Sequence, residues 1–160
     1  MARQKHLVVI GGPTAVGKTA AAIAVAQRLG TEILSADSRQ FYRELNIGTA
    51  KPSPEERAAV PHHFIDSLSI HQDYSVGDFE RDALQLLQGL FQRYDTLLLV
   101  GGSGLYLRAV CEGLDEFPEV PPAVRRQVRR LFEEEGLEAL QEELRRRDPA
   151  YFARVDRHNP

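Results

Sequence analysis

The chain alternates short apolar runs with longer stretches in which apolar residues recur every three or four positions. Leu7-Val8-Val9-Ile10 is continuously apolar, which predicts a strand buried on both faces. Gly11 to Gly17 reads as a glycine-rich turn, and alanine-rich Lys18 to Leu29 as a helix closed by Gly30. Glu32 to Ala36 predicts a second strand, ended by Asp37-Ser38. Between Asn46 and Pro61, the residues Gly48, Pro52, Pro54 and Pro61 predict a loop with one short helix; Phe64-Ile65 predicts a brief third strand. Val76, Phe79, Ala83, Leu86, Leu87 and Leu90 share one face of a helix from Val76 to about Gln92. Thr96 to Val100 predicts another buried strand, which Gly101-Gly102-Ser103-Gly104 turns into a helix from near Leu105. Strands alternating with helices predict an α/β fold, a parallel sheet flanked by helices.

The pattern changes after Pro118. Pro118, Pro121 and Pro122 read as a stiff linker. Beyond it Val124, Val128, Leu131 and Phe132 form one helical stripe. Leu137, Leu140 and Leu144 form another after Gly136, and Asp148-Pro149 opens a third helix by the cap-then-proline pattern. The organisation expected is therefore an α/β core over residues 1–117 and the start of an added helical segment over 118–160. Three or four strands are few for a doubly wound sheet, so the core reads as incomplete and the chain as truncated.

Composition narrows the class without naming a function. With 42% hydrophobic and 27% charged residues the chain is of ordinary globular make-up, and no apolar run is long enough to span a bilayer. One cysteine, Cys111, excludes an internal disulfide, fits a reducing cytoplasm and reads as a packing residue. The net charge of −3 does not argue for nucleic acid, but its distribution is uneven. Residues 1–122 carry 11 basic and 15 acidic side chains; residues 123–160 carry 9 and 8, and all nine are arginine. That segment is permissive for a phosphate-facing patch.

The chemistry begins at Gly12-Pro13-Thr14-Ala15-Val16-Gly17-Lys18-Thr19, a full G-x-x-x-x-G-K-[ST] phosphate loop set between a predicted strand and a predicted helix. The spacing lets backbone N–H groups curl around a phosphate at a helix N-terminus. Lys18 adds a point charge, and the Thr19 hydroxyl is placed for Mg²⁺. Alone, the motif favours an ATP-binding kinase or another NTPase. Such enzymes hold their metal with an acid at the end of a hydrophobic strand, whereas Thr96–Val100 ends in Gly101-Gly102. The available acid is Asp37, at the end of the Glu32–Ala36 strand. A carboxylate there serves a metal, acts as a base on an incoming nucleophile, or caps a turn.

Longer blocks resemble a known family. GPTAVGKT from Gly12, ADSRQFY from Ala36 and NIGTAKP from Asn46 are similar to the opening of the tRNA dimethylallyltransferases, also called tRNA isopentenyltransferases. Pro61-His62-His63-Phe64-Ile65-Asp66, Tyr74-Ser75-Val76 with Asp78-Phe79, and LVGGSGLY from Leu99 continue the likeness in order, over nearly the whole chain. The resemblance implies a P-loop NTPase-like fold with a helical tRNA-binding segment, and transfer of a dimethylallyl group from dimethylallyl diphosphate to tRNA. The acceptor would be the exocyclic amine of the adenosine 3′ of the anticodon. It further implies that Gly12 to Thr19 hold the donor's diphosphate, with Mg²⁺ as cofactor on Thr19 and Asp37 as general base. Asp37, Ser38, Arg39, Gln40, Ser103 (where the family usually has threonine) and Arg125 match tRNA-contacting positions. Arg125 on local sequence alone is also a solvated helix arginine. The family continues past this point with further arginines and strands. Three other readings stay open: a small-molecule P-loop kinase, an isopentenyltransferase acting on adenylate, and a non-catalytic phosphate- or RNA-binding module. No protein partner is implied.

Overall fold

The computed structural model describes residues 4–114 and 120–158, which fall into two compact units, Met1–Asp115 and Glu116–Pro160. Pro118 of the predicted linker lies outside the described residues.

In the first unit, β1 (His6–Gly11), β2 (Ile33–Ser35), β3 (His62–His63) and β4 (Thr96–Gly101) form one parallel sheet in the order β1-β4-β2-β3. Between them run α1 (Lys18–Leu29), the short α2 (Pro54–Ala59) and α3 (Val76–Leu90), with α4 (Gly104–Glu112) after β4. Predicted and observed helices agree closely, because α1, α2 and α3 each carry a local signal at one end. Gly30 closes α1 in the left-handed conformation at φ 60°, a region that costs glycine nothing. Ser53 with Glu56 and Ser75 with Asp78 form capping boxes that start α2 and α3.

The central strand β4 explains the two layers. Leu97 and Leu99 belong to a core cluster with Phe79, Ala83 and Leu87 of α3, whereas Leu98 and Val100 pack with Ala22 and Ala26 of α1. Alternate side chains thus bury against opposite helical layers, which requires the continuous apolar run the sequence shows. Phe41, Phe64, Tyr74, Phe79 and Tyr106 fill one end of the first cluster, with Phe41 stacked on Phe79 at 5.3 Å between ring centroids.

Three expectations need correction. β1 is not buried on both faces: Val8 and Val9 are 40% and 41% exposed. β4 pairs with one edge of β1, and among the described residues no strand pairs with the other. An apolar run records a strand's demand for cover, not the cover itself. The third strand is His62–His63 rather than Phe64-Ile65. Phe64 takes a left-handed φ of 61°, which ends the strand as its ring joins Phe41 and Phe79. Cys111 is exposed, so it is no packing residue.

At the opposite end of β2 from its carboxyl edge sits a polar clamp. Buried Glu32 accepts hydrogen bonds from Tyr94 Oη at 2.7 Å and Arg93 at 3.4 Å, and lies 2.6 Å from His63 Nε2. Burial pushes this carboxyl up, but the bonds from His63 and Tyr94, with the charges of His63 and Arg93, outweigh it and hold it below the usual glutamate range. A folded-state value lower than the unfolded one adds stability above the ordinary value of 4.5, and that stability disappears as pH falls through the lowered one. Between pH 7 and 3 the melting temperature should therefore drop more steeply in the parent than in Glu32→Gln. Parallel melting curves against pH would show that the clamp adds nothing.

In the second unit, α5 (Pro122–Arg147) is broken at Gly136, whose φ of 82° and ψ of −172° leave the helix, so two helical segments meet there as the sequence predicts. α6 (Pro149–Phe152) follows, capped by Asp148, whose carboxylate accepts from Tyr151 N. Leu137, Leu140 and Leu144 face Phe152 and Val155 across a small groove within this unit.

Candidate functional site

The site forms where three parallel strands end side by side. Gly11 of β1 pairs with Gly101 of β4, and Ala36, just past β2, donates its N–H to Val100 O at 2.8 Å. The segments that leave these strands are therefore the phosphate loop, Gly102-Ser103, and Asp37-Ser38. The carboxyl edge of a parallel sheet is the usual ligand face of such folds.

The Asp37 strand does not lie directly beside β1, because β4 comes between them. Glycine makes up the difference. A Cβ built on Gly101 would stand 2.7 Å from the Ala36 carbonyl carbon, far inside contact distance, and one on Gly102 would meet Gly12 O at 3.3 Å. The approach leaves no room for an acid at 101, the last residue of β4. Any side chain at 101 would push away the backbone that carries Asp37. Gly101→Ala should destabilise the fold by about 1–3 kcal/mol, the usual range for forced overpacking. Denaturant unfolding measures this, and an unchanged midpoint would rule out the close approach.

The phosphate loop has the conformation its sequence predicts. Gly17 is left-handed at φ 92°, no side chain caps the first N–H groups of α1, and Ala15 is held at φ 65°. The uncapped N–H groups and helix dipole make this end receptive to an anion. Lys18 Nζ folds back to donate to Pro13 O at 2.6 Å.

One cavity of about 320 Å³ joins the parts. Thr14, Ala15, Gly17, Lys18 and Thr19 line one side, with Asp37, Gln40 and Gly102 also on its wall. Gly12, Pro13 and Val16 belong to the same loop; Val16 is 61% exposed. Asp37 Oδ1 accepts from Arg39 N at 3.0 Å, so the carboxylate does tie down a turn while still lining the cavity. Ser103 Oγ accepts from Ser38 N at 3.3 Å, which brings together two positions 65 residues apart. Arg39 is exposed beside them.

Gln40 is placed differently from an open RNA contact. Its side chain is buried: Ser35 Oγ donates to Oε1, and Nε2 donates to the carbonyls of Thr49 and Ala50. Its amide is engaged in holding the 45–52 loop. Arg125 is exposed on α5 in the second unit. Among the described residues it forms no ion pair, unlike Arg130, Arg145, Arg146 and Arg147, which pair with glutamates along their own helix.

Of the polar side chains on the cavity, Ser35, Glu56 and His62 were not among the site residues read from the sequence. His62 Nδ1 lies 2.7 Å from Val60 O. A carbonyl only accepts, so Nδ1 carries the proton. Burial pushes the ring's pKa down, favouring the neutral form and leaving Nε2 as an acceptor. The Pro61-His62-His63 block marked the region, but periodicity does not reveal which histidine meets a cavity.

The chain is similar to known proteins over most of its length. The IPP transferase family model matches residues 40–160. The tRNA dimethylallyltransferase of Flavobacterium johnsoniae is 50% identical over 156 residues, covering 98% of this chain and 50% of that protein. Among solved structures, the full-length tRNA isopentenylpyrophosphate transferase of Bacillus halodurans is 38% identical with a TM-score of 0.68, over 98% of this chain and 52% of that one. A eukaryotic dimethylallyltransferase acting on tRNA, 24% identical, shares the fold at a TM-score of 0.81 over 98% of this chain and 39% of its own. The chain spans about half the length of the curated relatives it matches. No helix among the described residues is long and apolar enough to cross a membrane. A family model matched over most of the chain, on a sheet whose strand ends gather the phosphate loop and Asp37, establishes that this chain belongs to the IPP transferase family.

Proposed function

We propose that this chain provides the donor-binding and base-bearing part of an enzyme that transfers a dimethylallyl group from dimethylallyl diphosphate to tRNA, at the exocyclic amine of the adenosine 3′ of the anticodon. The observation that carries the reading is the shared cavity: Lys18 and Thr19 line it together with Asp37, so an anion and an attacking amine have facing partners.

In this reading the donor's diphosphate sits against the N–H groups of Gly12 to Thr19 at the start of α1. Lys18 exchanges its bond to Pro13 O for phosphate oxygen. The amine nitrogen bonds to C1 of the dimethylallyl group as the C–O bond breaks, and the electron pair leaves with diphosphate. The amine proton passes to Asp37, whose Oδ1 is tied to Arg39 N and whose orientation is therefore fixed. Ser38, Arg39 and Ser103 form the tRNA-facing side of this rim, Gln40 positions it, and Arg125 contributes phosphate contact from the helical segment.

The Thr19 hydroxyl lines the same cavity and would hold Mg²⁺ there together with the donor's diphosphate, leaving Asp37 free as the base. Bound there, the ion would neutralise charge gathering on the leaving group. The test is incubation of the natural protein with labelled dimethylallyl diphosphate, with and without Mg²⁺, then tRNA or AMP. Label in tRNA alone supports the reading. Label in AMP favours the adenylate enzyme, and ATP turnover without transfer favours a kinase.

A further inference from the structure

Ile47 is 98% exposed, far beyond any other large apolar side chain among the described residues; the next, Val16, is 61%. The loop that carries it is nevertheless firmly built. Gln40 Nε2 donates to the carbonyls of Thr49 and Ala50, Thr49 Oγ1 to Leu45 O at 3.1 Å, and Asn46 Nδ2 to Arg43 O at 3.1 Å. Lys51, its side chain only 7% exposed, donates to Tyr42 O and Asp66 Oδ1, both at 2.6 Å, and Arg57 holds the other oxygen of Asp66. Two residues within it take left-handed conformations, Gly48 at φ 74° and Ala50 at φ 48°. Buried polar groups and backbone strain are thus committed to presenting an isoleucine to solvent.

The loop is also tied to the site. Gln40 and Ala50 both line the Asp37 cavity, and three residues of chain put Ile47 within about 11 Å of Ala50 at most. Arg39 and Arg43, both exposed, stand in the preceding turn. A stiff apolar side chain four residues after an exposed arginine, on a loop that also lines this cavity, suits a stacked nucleic acid from which the proposed reaction draws one base, the target adenosine, into the cavity.

We infer that Ile47 is a positioning residue that packs against the nucleotides flanking the extruded adenosine and holds open the gap it leaves. The inference rests on the proposed tRNA substrate. Arg39 and Arg43 hold the neighbouring phosphates, and Gln40 and Lys51 keep the wedge in register with Asp37.

The test uses the natural protein and a tRNA carrying 2-aminopurine next to the target adenosine, whose fluorescence rises on unstacking. Ile47→Ala should lower kcat/KM for tRNA about 10- to 100-fold and flatten the fluorescence rise, the scale expected when the support for one unstacked step is lost. Dimethylallyl diphosphate affinity and melting temperature should stay at parent values, and Ile47→Leu should restore most of the activity. Parent-level kcat/KM and fluorescence in Ile47→Ala would overturn the wedge while leaving the tRNA reading intact. A parent protein that modifies no tRNA would instead overturn the proposed function.

Discussion

Replacing Asp37 with asparagine is expected to leave affinity for dimethylallyl diphosphate nearly unchanged and to slow prenyl transfer roughly 10²–10⁴-fold, the range for a positioned general base. Asparagine preserves the shape and can still accept from Arg39 N through its amide oxygen, so the turn and the Ser38–Ser103 contact survive. What it cannot do is take a proton from the attacking amine. Single-turnover transfer, read beside donor affinity, separates the three roles the sequence left open. A rate near the parent value would reduce Asp37 to a turn-capping residue. A proportional loss of donor affinity would instead assign it to the metal.

Much of the site was legible because its parts are local. The phosphate loop is eight consecutive residues whose spacing has one conformational solution, and α1 follows it with the boundaries its alanine-rich sequence predicts. Asp37 stood out because a strand ended there and Thr96–Val100 offered no acid. What stayed hidden depends on non-local packing. The sheet order that inserts β4 between β1 and β2 is invisible to periodicity, so the reason for Gly101-Gly102 emerged only from the approach to Ala36. The inward turn of Gln40 has the same origin: its partners Thr49 and Ala50 come from a loop whose path no local rule fixes. The exposure of Ile47 was equally unreadable, since an isoleucine in a sequence is by default a core residue.

Lys18→Ala and Thr19→Ala should each raise the barrier to transfer by about 2–4 kcal/mol, the cost of losing one preorganised partner of a developing charge. The two losses should differ in kind. Lys18 is a cation on a long side chain, bonded to Pro13 O, that in the proposed reaction pairs with charge as it builds on the leaving diphosphate. Its removal should lower the chemical step more than donor affinity. Thr19 sits at the start of α1 and lines the cavity together with Asp37. Its loss should appear as a rise in the Mg²⁺ concentration needed for half-maximal activity. Neither change touches the core, because both side chains lie on the cavity and outside the two buried clusters. Melting temperatures without ligand should therefore match the parent, while the added stability conferred by Mg²⁺-diphosphate shrinks in both variants. Titrating donor and Mg²⁺ separately in single-turnover assays distinguishes the two contributions. Parent-level kinetics in both variants would remove the phosphate loop from the reaction and leave its sequence match without a function.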